Sequence, residues 1–358
     1  MSDNCGITDF LPCSGSLSID RITLLIECPH LSVWAKDEGY IKRMNKIDRF
    51  TSVFETMLQS FNIALDPDFP QGVRSDLFLH HYRVLSPSSL DDMVDIQFGC
   101  TSPVRKRITD ESYIMAFGSA EEKEQGFIDN YIPSQYGFRI EWNPNFTDIS
   151  FLNPLLSTLC RSNLYSTFIR VSRIDIAIDY PYKIVPELIH CDKMRKGFLA
   201  YGSQGTETLY FGSRASKYMF RIYDKATQLR EVKGQDVLGD LWRIELEIKD
   251  PFSIFETPLD KFGKVFERLS FYSDGISSGD WCLDLILKNA MNYGLDNTLN
   301  CLPSTTKKRY KKLIQTKASS FNLETPSAVY RGQFLGKYNV LRNSILQAFG
   351  LQGRAVQQ

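Results

Sequence analysis

Apolar and polar positions alternate with a period of two along several short stretches of this chain, and in the most distinctive of them the polar half is charged. In Thr208–Lys225, TLYFGSRASKYMFRIYDK, two strand-forming runs flank a small-residue cluster at Gly212–Ser216, which predicts a hairpin. On its second strand Phe220 and Ile222 fall on one face, and Arg221, Tyr223 and Lys225 on the other. The same division recurs in Arg173–Asp179, where Ile174, Ile176 and Ile178 oppose Arg173, Asp175, Ala177 and Asp179. In Trp242–Lys249 it sets Ile244, Leu246 and Ile248 against Arg243, Glu245, Glu247 and Lys249. A shorter copy, Phe138–Trp142, places Arg139 and Glu141 opposite Phe138, Ile140 and Trp142. A solvated outer face explains any one such strand. Their recurrence, with acids near mid-strand and a small Ala177 that leaves room, points instead to one sheet with an apolar, helix-covered face and a polar face built for chemistry.

Other stretches follow either period. Ser16–Glu27, Leu77–Val84 and Met93–Phe98 read as strands, the first ended by Cys28-Pro29. Ile41–Phe61, Ile149–Cys160, Phe252–Phe271, Trp281–Tyr293 and Tyr338–Phe349 carry helical spacing. Strands interrupted by helices, without regular βα alternation, predict an α+β fold. Its antiparallel-rich central sheet has one helix-covered face and one catalytic face, and the C-terminal region is helical. The expected organisation is a flexible tail at 1–15, a catalytic domain at 16–270, a basic helical region at 271–330 and a tail or helix at 331–358. His80 and His81 are adjacent on a strand and face opposite ways, so they do not hold one metal together.

Composition narrows the class. With 358 residues and 43% hydrophobic content the chain can build a substantial core. No run of about 18 apolar residues and no apolar leader is present, so the expectation is a cytoplasmic protein without a membrane partner. The 8 cysteines lack CxxC spacing and read as free thiols in a reducing compartment. Net charge is zero but unevenly spread: residues 301–358 hold ten basic side chains against one acid, Glu324, and so carry +9, leaving −9 on residues 1–300. A basic end on an acidic body suggests a polyanion partner, with Lys307, Lys308, Arg309, Lys311 and Lys312 as phosphate contacts. A merely solubilising tail is the alternative. Arg105-Lys106-Arg107 is a second, shorter basic patch, and Ala120–Gln125 an acidic segment. No P-loop and no GxSxG elbow occurs, which argues against nucleotide hydrolysis and serine-hydrolase chemistry.

The charged face suits phosphoryl chemistry. Glu141, Asp175 and Glu245, with Asp179 and Glu247 as further candidates, offer the oxygen donors that Mg²⁺ or Mn²⁺ prefers. Such an ion stabilises charge building on a phosphodiester in displacement. Tyr223 is the candidate nucleophile, with Arg221 and Lys225 as cationic neighbours favouring its anion. Arg173, Arg214 and Arg243 are candidate phosphate contacts. A tyrosyl ester keeps the energy of the broken phosphodiester, so a nick made this way is resealed without ATP. A packed tyrosine is the plain reading on spacing alone.

These residues carry a family resemblance. RIDIAID, TLYFGSRASKYMFRIYDK and LWRIELEIK, in this order, resemble the Rep_trans family of rolling-circle replication initiators, as does RIEWNPN upstream; SIDRITLLIE and RYKKLI resemble its first strand and a later basic segment. Related proteins include conjugative-element relaxases and filamentous-phage initiators. The resemblance covers about residues 16–315 and is specific between 138 and 250. It implies a variant of the His-hydrophobe-His (HUH) endonuclease fold without the histidine pair, with Tyr223 as the nicking nucleophile. Asp224 stands where compared plasmid initiators have Asn, on the opposite strand face. The family further implies a hairpin origin cut in one strand and single-stranded at the nick, a 5′-phosphotyrosine, a free 3′-OH, a host helicase partner and dimerisation. A relaxase with the same chemistry, an origin-binding protein that leaves DNA unbroken, and a sugar hydrolase using Glu245 and Glu247 are the competing readings.

Overall fold

The computed structural model describes residues 15–27, 52, 54–68, 73–74, 79–87, 89–100, 136–161, 169–194, 197–202, 205–235, 237–271, 279–317 and 325–351. The Arg105-Lys106-Arg107 patch, the acidic segment 120–125, the tail 1–14 and Cys28-Pro29 lie outside them. The chain forms two compact units that interleave in sequence. One comprises residues 19–174, 250–256 and 338–358, the other 1–18, 175–249 and 257–337. The last helix is Pro326–Ala348.

In the first unit, β1 (Ser16–Glu27), β2 (Val73–Arg74), β3 (Leu79–Ser86), β4 (Ser89–Cys100) and β5 (Tyr136–Trp142) form an antiparallel arrangement in the order β2-β3-β4-β5-β1, joined by the start of β6 (Ile169–Tyr180). The register sets Ile22 opposite Trp142 and Leu24 opposite Ile140, so strict alternation delivers one apolar face. Ile22, Leu24, Val84 and Ile140 are all at most 1% exposed. Residues 54–60 are helical, as the Ile41–Phe61 spacing predicts; the part before 52 is outside the described residues. Phe54 packs its ring 5.3 Å from Tyr82 and 5.6 Å from Phe138. The predicted helix Ile149–Cys160 is a 3-10 turn, Ile149–Leu152, capped by Asp148, running into α1 (Asn153–Arg161).

In the second unit the remainder of β6 borders β11 (Trp242–Ile248), and the order continues through β10 (Tyr218–Asp224), β9 (Gly205–Phe211) and β8 (Gly197–Gly202). β7 (Ile189–Cys191) pairs separately with β13 (Leu269–Phe271). The predicted hairpin forms between β9 and β10. Gly212 takes φ 90°, where a Cβ would lie 2.7 Å from the Tyr218 carbonyl oxygen, so the turn demands glycine. Ser216 Oγ then accepts from the Ser213 amide at 2.9 Å.

The apolar face carries Phe220, Ile222, Ile244 and Leu246, all at 0% exposure, each side chain worth about 1.5–3 kcal/mol of burial. It is covered by helices. Phe220 meets Phe266 of α3 (Leu259–Phe266) edge-on at 5.7 Å. Phe266 stacks on Tyr330 at 5.0 Å and Tyr330 on Phe334 at 4.7 Å, both from α7 (Pro326–Ala348). Beyond this column lie α4 (Trp281–Tyr293), α5 (Leu295–Asn300) and α6 (Ser304–Lys317), packed through Leu188, Leu283, Leu299, Tyr310 and Ile314. The architecture is thus mixed α/β with a large antiparallel sheet and a helical C-terminal region.

Two expectations need correction. The continuous helix predicted over Phe252–Phe271 is β12 (Phe252–Ser253), α3 and β13, because Phe252 and Ser253 pair with Val171 and Arg170 before Pro258 opens the helix. Lys225 is not a strand residue sharing the face of Arg221 and Tyr223. β10 ends at Asp224, whose carboxylate accepts from the Thr227 amide at 3.0 Å and so starts α2 (Lys225–Lys233).

Candidate active site

The polar face of the second unit is built by β6, β11 and β10, with β9 beside them. Antiparallel register places Arg221 opposite Glu245, Tyr223 opposite Arg243 and Met219 opposite Glu247. Directly opposed residues share a face, so Arg221, Tyr223, Arg243 and Glu245 are neighbours because of register and not merely because they alternate. This face is not a solvated outer surface. Asp175 is 2% exposed and Glu245 and Glu247 are each 5% exposed, among the few buried charged groups described. Burying carboxylates costs several kcal/mol each unless cations compensate.

Compensation is explicit. Glu245 is the hub: one carboxylate oxygen meets the Arg221 guanidinium, and the other accepts from the Tyr223 hydroxyl at 3.4 Å. Burial pulls the Arg221 guanidinium toward a lower pKa, but Glu245 by charge and hydrogen bond, then Asp175 and Tyr223, more than offset it, and the net shift is upward. Asp175 is therefore electrostatically part of the same cluster. Arg243 forks onto Asp179 with its Nε and Nη2 each 2.6 Å from a carboxylate oxygen. Glu247 pairs with Lys249, whose Nζ also donates to the Arg214 carbonyl at 2.5 Å.

Both expected cations lie near Tyr223, and a carboxylate joins them. The Arg221 guanidinium is engaged by Glu245. The Lys225 ammonium sits 5.8 Å from the centroid of the Tyr223 ring and donates to Gln228 at 2.7 Å. The hydroxyl donates to a carboxylate, Glu245, which offers its proton a destination. Asp224 in place of Asn keeps the capping hydrogen bond, since either side chain caps a helix well. It thereby fixes where the strand ends, one residue after Tyr223.

The structure gathers Asp175, Asp179, Arg221, Tyr223, Arg243, Glu245 and Glu247 on one face of one unit, with Lys225 at its margin. Glu141 and Arg173 belong to the other unit. There Glu141 accepts from Thr23 at 2.7 Å and Arg139 at 2.8 Å and lies 3.4 Å from Arg21, while Arg173 is half-buried on β6. The Arg214 side chain is exposed at the hairpin turn. Sequence reasoning missed Tyr210 and Thr208, which face Arg221 and Tyr223 across the β9–β10 pair. Their alternation in TLYF was the available signal.

In α6 the basic run splits in two. Lys307 donates to Asn300, and Lys311 reaches Asp192 at 2.9 Å. Lys308, Arg309 and Lys312 lie on the exposed side, with Arg309 3.7 Å from Asp280.

A divalent cation asks for hard oxygen donors, which Asp175 and Glu245, the two carboxylates that act on Arg221, offer. Among the described residues no three histidine, cysteine, aspartate or glutamate side chains gather into one cage. Two carboxylates completed by water and a substrate phosphate are nonetheless an ordinary Mg²⁺ arrangement.

Residues 190–273 match the family Rep_trans, described as replication initiation factor. That segment contains Tyr223, Arg221, Arg243, Glu245 and Glu247, so the resemblance read from the motifs is borne out where they are densest. Two replication initiation proteins of Staphylococcus aureus are similar to the chain, at 29% identity over 151 residues and 31% over 150, each match covering 40% of this chain. The chain spans about 45% of the length of these curated relatives. A solved structure of a rolling circle replication initiator protein from Geobacillus stearothermophilus aligns over 84% of this chain and 97% of its own, at 12% identity and a TM-score of 0.36. No helix among the described residues is long and apolar enough to cross a membrane.

Proposed function

We propose that this chain is a rolling-circle replication initiator that nicks one strand of origin DNA through Tyr223 and rejoins it. The observation that carries the proposal is the Tyr223 hydroxyl directed at Glu245 Oε2, 3.4 Å away, on a buried charged face inside the family-matched segment. Replication initiation is preferred to conjugative transfer because the curated relatives are replication initiation proteins.

On this reading Tyr223 Oη attacks the phosphorus of a phosphodiester. Its proton passes to Glu245, general-base assistance worth about 10²–10⁴ in rate. The P–O3′ bond breaks, the 3′-oxygen leaves as a hydroxyl after taking up a proton, and the 5′-phosphate remains esterified to the tyrosine. Attack of a 3′-hydroxyl on that ester reverses the step, so no nucleotide is consumed. Asp175 and Glu245 are the residues that would hold Mg²⁺ or Mn²⁺, and the ion would supply charge neutralisation at the phosphate. Arg221 and Arg243, on the same face as Tyr223, are the cations that would meet phosphate oxygens. Lys308, Arg309 and Lys312 contact the phosphate backbone of the origin DNA. A helicase then unwinds from the nick, and dimerisation is part of the same proposal.

The test uses supercoiled DNA carrying the cognate element with Mg²⁺ or Mn²⁺. Wild type yields a nick and a denaturation-resistant protein–DNA adduct, and Tyr223→Phe yields neither while binding the origin. Origin binding by wild type without nick or adduct would replace this reading with that of a binding protein.

A further inference from the structure

We propose that Trp281 and the outer face of α6 form a seat for an unpaired nucleobase and its flanking phosphates, separate from the tyrosine face. Trp281 is 76% exposed, whereas the other described tryptophans, Trp142 and Trp242, are 3% and 4% exposed. An indole left in water forgoes a large burial energy, so its placement asks for a ligand. Leu285, one turn further along α4, is 54% exposed and extends the apolar surface.

The helix start fixes the ring's attachment. Asp280 accepts from the amides of Cys282 at 3.0 Å and Leu283 at 3.2 Å, making Trp281 the first helical residue. The same carboxylate accepts from the Tyr310 hydroxyl at 3.4 Å and lies 3.7 Å from Arg309. One side chain thus ties the start of α4 to the middle of α6, with the Arg309 cation on the carboxylate of the residue that precedes the tryptophan. Tyr310 and Ile314, 5% and 1% exposed, bury the inner face of α6. Lys307 and Lys311 meet Asn300 and Asp192, and the exposed side of α6 carries Thr305, Lys308, Arg309 and Lys312 at i, i+3, i+4 and i+7. That is one stripe about 10 Å long.

An exposed aromatic at the start of α4 and a row of cations on α6, tied together through Asp280, match single-stranded DNA, whose bases stack while its phosphates pair with the cations. The charge selects this occupant over an apolar protein partner. The assignment rests on the proposed function for its biological setting, since strand opening at a nick exposes such bases, but not for its chemistry.

The experiment measures binding of the full chain to a 12-nucleotide mixed-sequence DNA, about the length of a small single-strand site, without a cation so that cleavage does not intervene. Wild type shows tryptophan quenching on titration, and Trp281→Phe loses that quenching while keeping most of the affinity. Trp281→Ala weakens binding by about five- to a hundredfold. Lys308→Ala with Lys312→Ala lowers the slope of log affinity against log salt by about 1.4. Unchanged affinity in Trp281→Ala, or undiminished quenching in Trp281→Phe, overturns the proposal. Failure of wild type to nick the origin would strike the proposed function alone, because none of these readouts involves Tyr223.

Discussion

Removing Arg221 or Glu245 separately should cost more stability than the pair is worth, and unequally. In Arg221→Gln a carboxylate whose side chain is 7% exposed loses its cation, whereas in Glu245→Gln the stranded guanidinium is 33% exposed and can hydrate. Leaving a buried charge unpaired costs about 3–5 kcal/mol when fully buried. Tyr223 still donates to the carboxylate, which lowers the expected loss for Arg221→Gln to about 2–3 kcal/mol. Solvent screening of the more exposed partner brings Glu245→Gln to about 1–2 kcal/mol. The double variant leaves no stranded charge at this contact and should fall short of the sum by about 1.5 kcal/mol. Urea unfolding of wild type, both single variants and the double variant measures all three quantities. Additivity within about 0.5 kcal/mol, or a larger loss from Glu245→Gln than from Arg221→Gln, would refute the assignment of Glu245 as the hub.

Three further outcomes follow from other parts of the structure. Asp224→Ala should lose about 1 kcal/mol and reduce adduct formation by disturbing the end of β10, while Asp224→Asn should match wild type in thermal unfolding; equal losses would show that the cap is unimportant. Burial pushes the Cys191 thiol up to about 12, so iodoacetamide at pH 8 should label the exposed Cys301 and leave Cys191 unlabelled until the chain unfolds, as peptide mapping would reveal. Burial raises the Asp95 carboxyl, but hydrogen bonds from His81 at 2.9 Å and Arg83 at 3.1 Å outweigh it and hold the group below its usual range. A depressed folded value stabilises the chain above about pH 4 and is lost as pH falls through it. The urea-midpoint advantage of wild type over Asp95→Asn should therefore be full at pH 6 and shrink below pH 4, and a constant difference would contradict the account.

The period-two alternation made the faces of β6, β10 and β11 legible, since Ile174, Phe220, Ile222, Ile244 and Leu246 all turn to the core as their spacing requires. Partnership was not legible, because it is set by register. That Glu245 meets Arg221 and Tyr223, and that Asp179 takes Arg243, depends on how three distant segments align. The departure of Lys225 from the strand had a local signal, a capping Asp224 before a run of helix formers, which the strand pattern of the preceding residues obscured. The short β12 was hidden because Phe252 fits a helical spacing as well as a strand, and pairing with Val171 decided it. Trp281 counted toward an amphipathic helix in sequence; its exposure emerges only from the way α4 packs.

The most direct test of the tyrosine assignment is mass spectrometry of the adduct after trypsin and nuclease digestion. Cleavage after Arg221 and Lys225 releases Ile222-Tyr223-Asp224-Lys225, and the account predicts that this peptide carries the 5′-phosphoryl nucleotide. Recovery of the nucleotide on a different peptide, for example one containing Tyr210 across the hairpin, would contradict it.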